Sequence, residues 1–338
     1  MNPAEIRAVL AHWPLIAAGA EFASATPGFS GASVQRIATA AGDFALRCWP
    51  AGESGLPHAR LRELHRWLAS QAAGGITTVA VPLRAGSGDT LIEARSRLWQ
   101  LEPWLPGVAD FAAQPIDVRL RAAFTELARW HAAERYVPTS DGTAWFGTRV
   151  DVPPAVTERR EKLVRLKGAA RTREGEAPAE PLGQNDDRCI RNAGALVARV
   201  APRVAAELAE FAAIHLPLHS CLRDVWHDHV LFTGDAVTGI IDPSAARTEH
   251  VASDLSRLLG SFLGDAFERW ETALDAYAVI RPLSAVERKL IRVLDRSSIV
   301  LSVAHWLERA SQAPLAAREQ VRLQAIVARL ESLNACDG

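Results

Sequence analysis

The sequence predicts an α+β chain: a small, mostly antiparallel sheet with one helix, then a longer helical half interrupted by a single hairpin. Three observations carry this. Short runs with alternating apolar and polar residues fill the stretch up to Leu101. Beyond it, apolar residues recur three and four apart, the period of a helix with one buried face. That helical pattern gives way at Val230–Phe232 and Val237–Ile241, two β-rich runs around the turn Thr233-Gly234-Asp235.

In order, residues 4–12 suit a short helix. Gly28-Phe29-Ser30-Gly31-Ala32-Ser33 is a turn of small residues leading into the strand Val34–Ile37. Such a turn lets backbone N–H groups approach a phosphate, because nothing bulky stands in the way. Phe44–Trp49 is the next strand, with Phe44, Leu46 and Cys48 pointing one way and Ala45, Arg47 and Trp49 the other. Arg47 is then either a solvated cation or one that reaches phosphates beneath the glycine turn. Pro57–Ala73 is a helix carrying Leu61, Leu64, Trp67 and Leu68 on one side and stopped by Gly74-Gly75. Its Glu63 is either a surface charge or the ion-pair partner of Arg47. Ile76–Leu83, Thr90–Ala94 and Leu98–Leu101 supply three more strands. Trp99–Gly107, with Pro103 and Pro106, breaks the pattern and reads as a connection between two lobes.

The second half is predicted helical over Ile116–Glu134, Ala155–Lys167 and Ile190–Ala213. His131 ends an apolar stripe and is read as a packed helix histidine. Residues 137–154 are loop-like. Residues 168–187, rich in Gly, Pro, Ala and charge with no apolar period, are expected to form a disordered insertion. After the hairpin a helix starts near Ser253-Asp254, with either residue able to cap it. Three more follow over 266–279, 284–310 and 316–333.

At 338 residues the chain suits two lobes, and 49% hydrophobic with 23% charged residues is ordinary for a soluble enzyme. A net charge of −1 supplies no field to hold nucleic acid or an anionic membrane, so neither partner is expected. Cys48, Cys189, Cys221 and Cys336 are scattered without a Cys-x-x-Cys pair, which predicts neither a disulfide framework nor a zinc clasp. A reducing, cytoplasmic setting is the expectation. No apolar run reaches membrane-spanning length, and the interrupted N-terminal apolar stretch is not expected to act as a signal peptide.

The hairpin concentrates the chemistry. It brings its two ends together, so Asp224 in the polar loop before it and Asp242 at its exit, eighteen residues on, are expected side by side. Two carboxylates there form either an ordinary acidic surface or a base beside a metal-phosphate site.

Taken in order, a β-rich lobe with a Gly/Ser turn, a proline-broken link and a helical lobe holding an Asp loop and a hairpin ending in Ile241-Asp242 resemble the protein-kinase-like fold. More closely, the chain resembles the aminoglycoside phosphotransferase and choline kinase-like family, from about Phe22 to Leu263 and most strongly over Leu222–Leu259. The resemblance implies a bilobal enzyme: a nucleotide-binding lobe over 1–101, a hinge over 102–109, and a catalytic, substrate-binding helical lobe over 110–338. It implies transfer of the ATP γ-phosphate to a hydroxyl of a small molecule, an aminoglycoside, choline-like amine, sugar or amino alcohol. Asp224 matches the catalytic base and Asp242 the aspartate that holds Mg²⁺. Arg47 stands where the family has a phosphate-pairing lysine, with Glu63 its expected partner. Gly28, Ser30, Gly31 and Ser33 would close over the phosphates, Gln100 and Glu102 would line the adenine side, and Asp254 would brace the catalytic loop.

Three departures from the family stand out. His-Gly-Asp before the base is here Leu222-Arg223-Asp224, Pro243 follows the metal aspartate, and the asparagine that supplies a second metal ligand is here His229. Imidazole nitrogen suits Mn²⁺ better than hard Mg²⁺. His229 is thus a metal ligand, a phosphate contact or the mark of a weakened kinase, with His227 and Asp228 close enough to replace it as ligands. The alternative that His229 and Arg47 support is a nucleotide-binding pseudokinase acting as scaffold or regulator. A metal hydrolase built on His215, His219, Asp224, His227 and His229 is disfavoured, because Pro217 between His215 and His219 breaks a helical two-histidine site. Oligomeric state leaves no trace in the sequence.

Overall fold

The computed structural model describes residues 3–17, 20–22, 26–27, 32–50, 56–133, 145–173 and 184–335. Two compact units emerge. The first comprises Met1–Gly147, Leu222–Thr248 and Thr272–Arg281, and the second Thr148–Cys221, Glu249–Glu271 and Pro282–Gly338.

The first unit is built on a six-stranded antiparallel sheet. Strands β1 (Glu21–Phe22), β2 (Thr26–Pro27), β3 (Ser33–Thr39), β4 (Gly42–Cys48), β5 (Ile92–Ala94) and β6 (Arg97–Pro103) run in the order β1-β3-β4-β6-β5, with β2 also paired to β3. Pro27 faces Ser33 across the β2–β3 pair; residues 28–31 of the small-residue turn lie outside the described residues. The alternation expected for β4 holds. Leu46 and Cys48, with Trp99 and Leu101 of β6, enter an apolar cluster with Ile6, Val9 and Leu10 of α1 (Pro3–Leu10) and with Trp13. Arg47 and Trp49 are thereby turned, with Gln100 and Glu102, to the opposite face, where helix α3 (His58–Ala73) supplies polar partners.

Residues 76–83 are not the strand expected. Pro82 removes a donor, and the segment makes single backbone bonds instead, from Ile240 N to Thr78 O at 2.8 Å and from Leu83 N to Leu101 O at 2.7 Å. Helix α4 (Asp117–Ala132) buries Leu120, Phe124, Leu127 and Trp130, and Trp130 meets Trp67 at 5.7 Å, itself stacked on Phe146 at 5.1 Å. His131 is a packed histidine as expected, its Nδ1 2.8 Å from the Tyr277 hydroxyl.

In the second unit, β7 (Arg149–Asp151) pairs with β8 (Leu216–Cys221), and α5 (Pro154–Arg173), α6 (Gln184–Ala209), α7 (Ala252–Leu263), α9 (Ala285–Gln312) and α10 (Ala317–Ala335) form the helical body. Helix α8 (Phe267–Ala278) has residues in both units. The expected insertion at 168–187 is entered by helix from both sides, α5 running to Arg173 and α6 starting at Gln184; residues 174–183 lie outside the described residues. Neither Ser253 nor Asp254 caps α7, which begins one residue earlier at Ala252 with Val251 in the cap position. Helix α9 instead carries a full capping box between Ser284 and Glu287. Buried Asp295 accepts from Arg329, which also binds Asp265, so α10 is tied to α9 and to the turn after α7. Among the described residues, no helix is long and apolar enough to cross a membrane.

Candidate active site

The hairpin is β9 (Val230–Thr233) and β10 (Ala236–Ile240), turning at Gly234-Asp235 with Gly234 at φ +59°. Its register shifts between Val237 and Gly239, so Thr238 bulges out and its hydroxyl donates to Pro106 O at 2.7 Å. Val108 and Phe232 exchange a reciprocal pair of backbone bonds at 2.9 Å, fixing the 104–108 connection against β9. Ile241 N donates to His229 O at 2.9 Å, which closes the hairpin base where the Asp224 loop enters and Asp242 leaves. Asp242 stands in the left-handed region, φ 55° and ψ 61°, at the entry to a single tight turn over Pro243–Ala245. Arg223 is also left-handed, φ 63°. That conformation suits the glycine of the resembling family, and an arginine there carries strain of about 1 kcal/mol.

Arg47 is the centre of the charge arrangement. Its Nη1 donates to Asp242 Oδ1 and its Nη2 to Glu102 Oε1, each at 3.3 Å. Burial disfavours the charged guanidinium, but Glu102 and then Asp242 outweigh it and hold its pKa above the ordinary arginine value. The expected pairing with Glu63 is therefore corrected. Glu63 is buried and accepts the backbone N–H groups of Trp145 and Phe146, each at 3.4 Å, pinning that segment to α3. Gln100 and Glu102, expected on the adenine side, turn their side chains toward Arg47. Gln100 Nε2 donates to Glu102 Oε2 at 2.6 Å, and Gln100 Oε1 accepts from Trp49 Nε1 at 2.8 Å, so both side chains point into the Arg47 network.

His229 is the second correction. Its Nδ1 lies 2.7 Å from the Asp224 carbonyl oxygen, and its Nε2 lies 2.9 Å from Trp226 Nε1. A carbonyl only accepts and an indole N–H only donates, so His229 carries its proton on Nδ1 and spends its Nε2 lone pair on Trp226. No ring nitrogen is left for a metal. The histidine instead folds the loop that carries Asp224. The carboxylates carried here are those of Asp242, at the hairpin exit, and Asp228, 3.1 Å from His227 Nε2; carboxylate oxygen is the donor type that suits Mg²⁺.

Helix α3 braces the site from a third direction. Arg60, half-buried, donates through Nη2 to Ser244 O at 3.0 Å and Ala246 O at 3.1 Å, holding the turn that follows Asp242. Burial and then Arg223 lower its pKa, with Glu63 opposing them. Arg60 and His65 were missed by sequence reasoning. The only available signal was the interruption of the Leu61–Leu68 apolar stripe by a histidine.

Of the other predicted residues, Ser33 opens β3 opposite Cys48, while Gly28, Ser30 and Gly31 lie outside the described residues. Asp254 belongs to the second unit and is fully buried in the first turn of α7.

Comparison with known proteins follows this geometry. A model described as the phosphotransferase enzyme family matches residues 22–285. The homoserine kinase of Methylocella silvestris is 36% identical over 88 residues, which span 25% of this chain and only 27% of that protein. Among solved structures, the aminoglycoside phosphotransferase of Alicyclobacillus acidocaldarius superposes with a TM-score of 0.64 at 17% identity, covering 98% of this chain and 96% of its own. The AMP-bound spectinomycin phosphotransferase gives 0.69 at 11% identity, covering 98% of each chain. The protein-kinase-like fold expected from the sequence is the fold these structures share, and a family match over most of the length settles membership: the chain belongs to the phosphotransferase enzyme family.

Proposed function

We propose that this protein transfers the γ-phosphate of ATP to a hydroxyl of a small molecule, with Asp224 as base and Asp242 as the metal-holding carboxylate. The observation that supports this most directly is the buried Arg47 shared between Glu102 of the sheet and Asp242 of the hairpin. It places a cation and a carboxylate in contact at the exit of the hairpin, with the Asp224 loop at its entry. In this reading Asp242 would hold the Mg²⁺ that accompanies ATP, and the ion would supply charge neutralisation at the phosphates. Arg47 turns toward the same phosphates. Asp224 orients the acceptor hydroxyl and takes its proton, and His229 keeps that loop in shape through the Asp224 carbonyl. Catalysis then rests on positioning and charge neutralisation. The Gly28–Ser33 turn covers the phosphates, residues 102–109 act as hinge between the lobes, and Asp254 is a structural residue.

Mg²⁺ is proposed over Mn²⁺ because the nitrogen that favoured Mn²⁺ is not offered by His229. The acceptor class is open among aminoglycosides, choline-like amines, sugars and amino alcohols. Homoserine joins the panel through the 36% identity over 88 residues. The enzyme is proposed to work in the cytoplasm. The pseudokinase alternative rested on His229 and Arg47; Arg47 keeps its charge beside Asp242, which favours phosphotransfer, and ATP turnover separates the two readings.

The test is an ATP-consumption screen over these hydroxyl compounds with Mg²⁺ and with Mn²⁺, on wild type and Asp224→Asn. Wild-type turnover that vanishes in the variant while calorimetric ATP binding persists is the expected result. An Asp224→Asn enzyme with full turnover would overturn the mechanism.

A further inference from the structure

The polar face of the sheet holds a chain of side chains that the reaction scheme above does not use. Trp49 Nε1 can only donate, which fixes Gln100 Oε1 as the atom facing it and turns Gln100 Nε2 to Glu102. Gln100 Oε1 also lies 2.9 Å from His65 Nε2. An amide oxygen only accepts, so His65 carries its proton on Nε2. Its bare Nδ1 then takes the Thr90 hydroxyl at 2.8 Å. His65, Gln100 and Glu102 are all buried, and Glu102 ends the chain on Arg47. Every bond in the sequence Thr90, His65, Gln100, Glu102, Arg47 has one direction only. A buried, fully directed network admits one arrangement, because reversing a link sets donor against donor or acceptor against acceptor.

The geometry points to His65 as a positioning residue: through Gln100 and Glu102 it sets where the Arg47 guanidinium stands, so that α3 is linked to the phosphate-binding arginine by a hydrogen-bonded relay rather than by its own carboxylate. This rests on the proposed role of Arg47, but not for its own test. Glu63, the carboxylate on the same helix, is occupied by the 145–146 backbone and leaves that task open. Burial keeps His65 neutral, which preserves the direction of the relay across the physiological range.

The decisive measurement uses nucleotide-free protein. Denaturant unfolding is followed for wild type, His65→Ala, Arg47→Ala and the double variant. His65 and Arg47 share no direct bond, so a merely structural histidine predicts that the two effects multiply. The relay predicts that the double variant's unfolding constant departs from that product by at least about threefold. Agreement with the product overturns it. If His65→Ala does not fold, Thr90→Val replaces it, with Thr90→Ser expected to restore the coupling because it keeps the hydroxyl. In turnover assays the same variants should raise KM for ATP about tenfold while leaving KM for the acceptor unchanged, since the relay ends on a phosphate-binding group. Equal rises in both KM values would also count against the relay. A wild-type enzyme without ATP turnover defeats the phosphotransfer reading instead, and the unfolding cycle still decides the relay.

Discussion

Arg47 and Asp242, 195 residues apart in the chain, are joined by a 3.3 Å ion pair in which the arginine is buried. One residue lies in the middle of the sheet and the other at the exit of the hairpin, so the pair binds the two halves of the candidate site within one compact unit. Glu102 shares the same guanidinium, and the bifurcated arrangement needs the planar fork of arginine.

Arg47→Ala leaves Glu102 buried without its countercharge. Urea unfolding of that variant should show a loss of about 3 kcal/mol, because stranding one member of a buried pair costs more than the pair contributes. Arg47→Lys should recover part of this, since one ammonium cannot face both carboxylates in the same geometry.

Asp242→Asn keeps the shape of the side chain and removes the negative charge that Arg47 and the proposed metal site both use. Calorimetry with and without Mg²⁺ should show that the metal no longer strengthens ATP binding. Unchanged metal dependence would remove Asp242 from the ligand set.

His229→Asn separates the two roles assigned to that position. As a metal ligand, asparagine would restore the family's oxygen and tighten Mg²⁺ dependence. As the loop-folding residue found here, His229 makes two hydrogen bonds that asparagine cannot span. The expected outcome is lower turnover and a stability loss of about 1–2 kcal/mol, with no tightening of the metal dependence.

Gly107→Ala tests the seat of the hairpin. Gly107 sits at φ +104°, and an added Cβ would stand 2.4 Å from Thr238 Oγ1 and 2.7 Å from Phe232 O. Backbone strain and the clash together predict a loss of roughly 2–4 kcal/mol, read by thermal or denaturant unfolding.

His65 gives a pH signature. Burial pushes its pKa down from 6.5 to about 4, so the folded protein resists a proton that the unfolded chain accepts. Its neutral form stabilises fully above pH 6.5, and that contribution is lost as the pH falls toward 4, by roughly 3 kcal/mol in all. The wild type minus His65→Gln difference in unfolding free energy should fall across that window and stay level above it.

The order of elements was legible in the sequence because periodicity is local. The switch from alternation to a helical period after the proline-broken link, and a hairpin between Asp224 and Ile241-Asp242, needed nothing beyond neighbouring residues. Even the face of β4 that carries Arg47 followed from counting by twos. Where local pattern and chain environment disagreed, the environment won, as at 76–83, where an apolar run with Pro82 became an extended segment holding the hairpin.

By itself, then, the sequence determined the order of the elements, the face of β4 that carries Arg47 and, through resemblance, the family, because these follow from the order and spacing of short patterns. Only the tertiary structure decided who holds whom. Glu63 and Glu102 are both carboxylates within plausible reach of Arg47, and the choice fell to the β4–β6 register, which sets Gln100 opposite Arg47 and Glu102 one pleat along. His229 kept the position of a ligand and lost the chemistry of one. Its two nitrogens met a carbonyl and an indole whose hydrogen-bonding directions admit no alternative, and those two neighbours act on it only once the loop has folded.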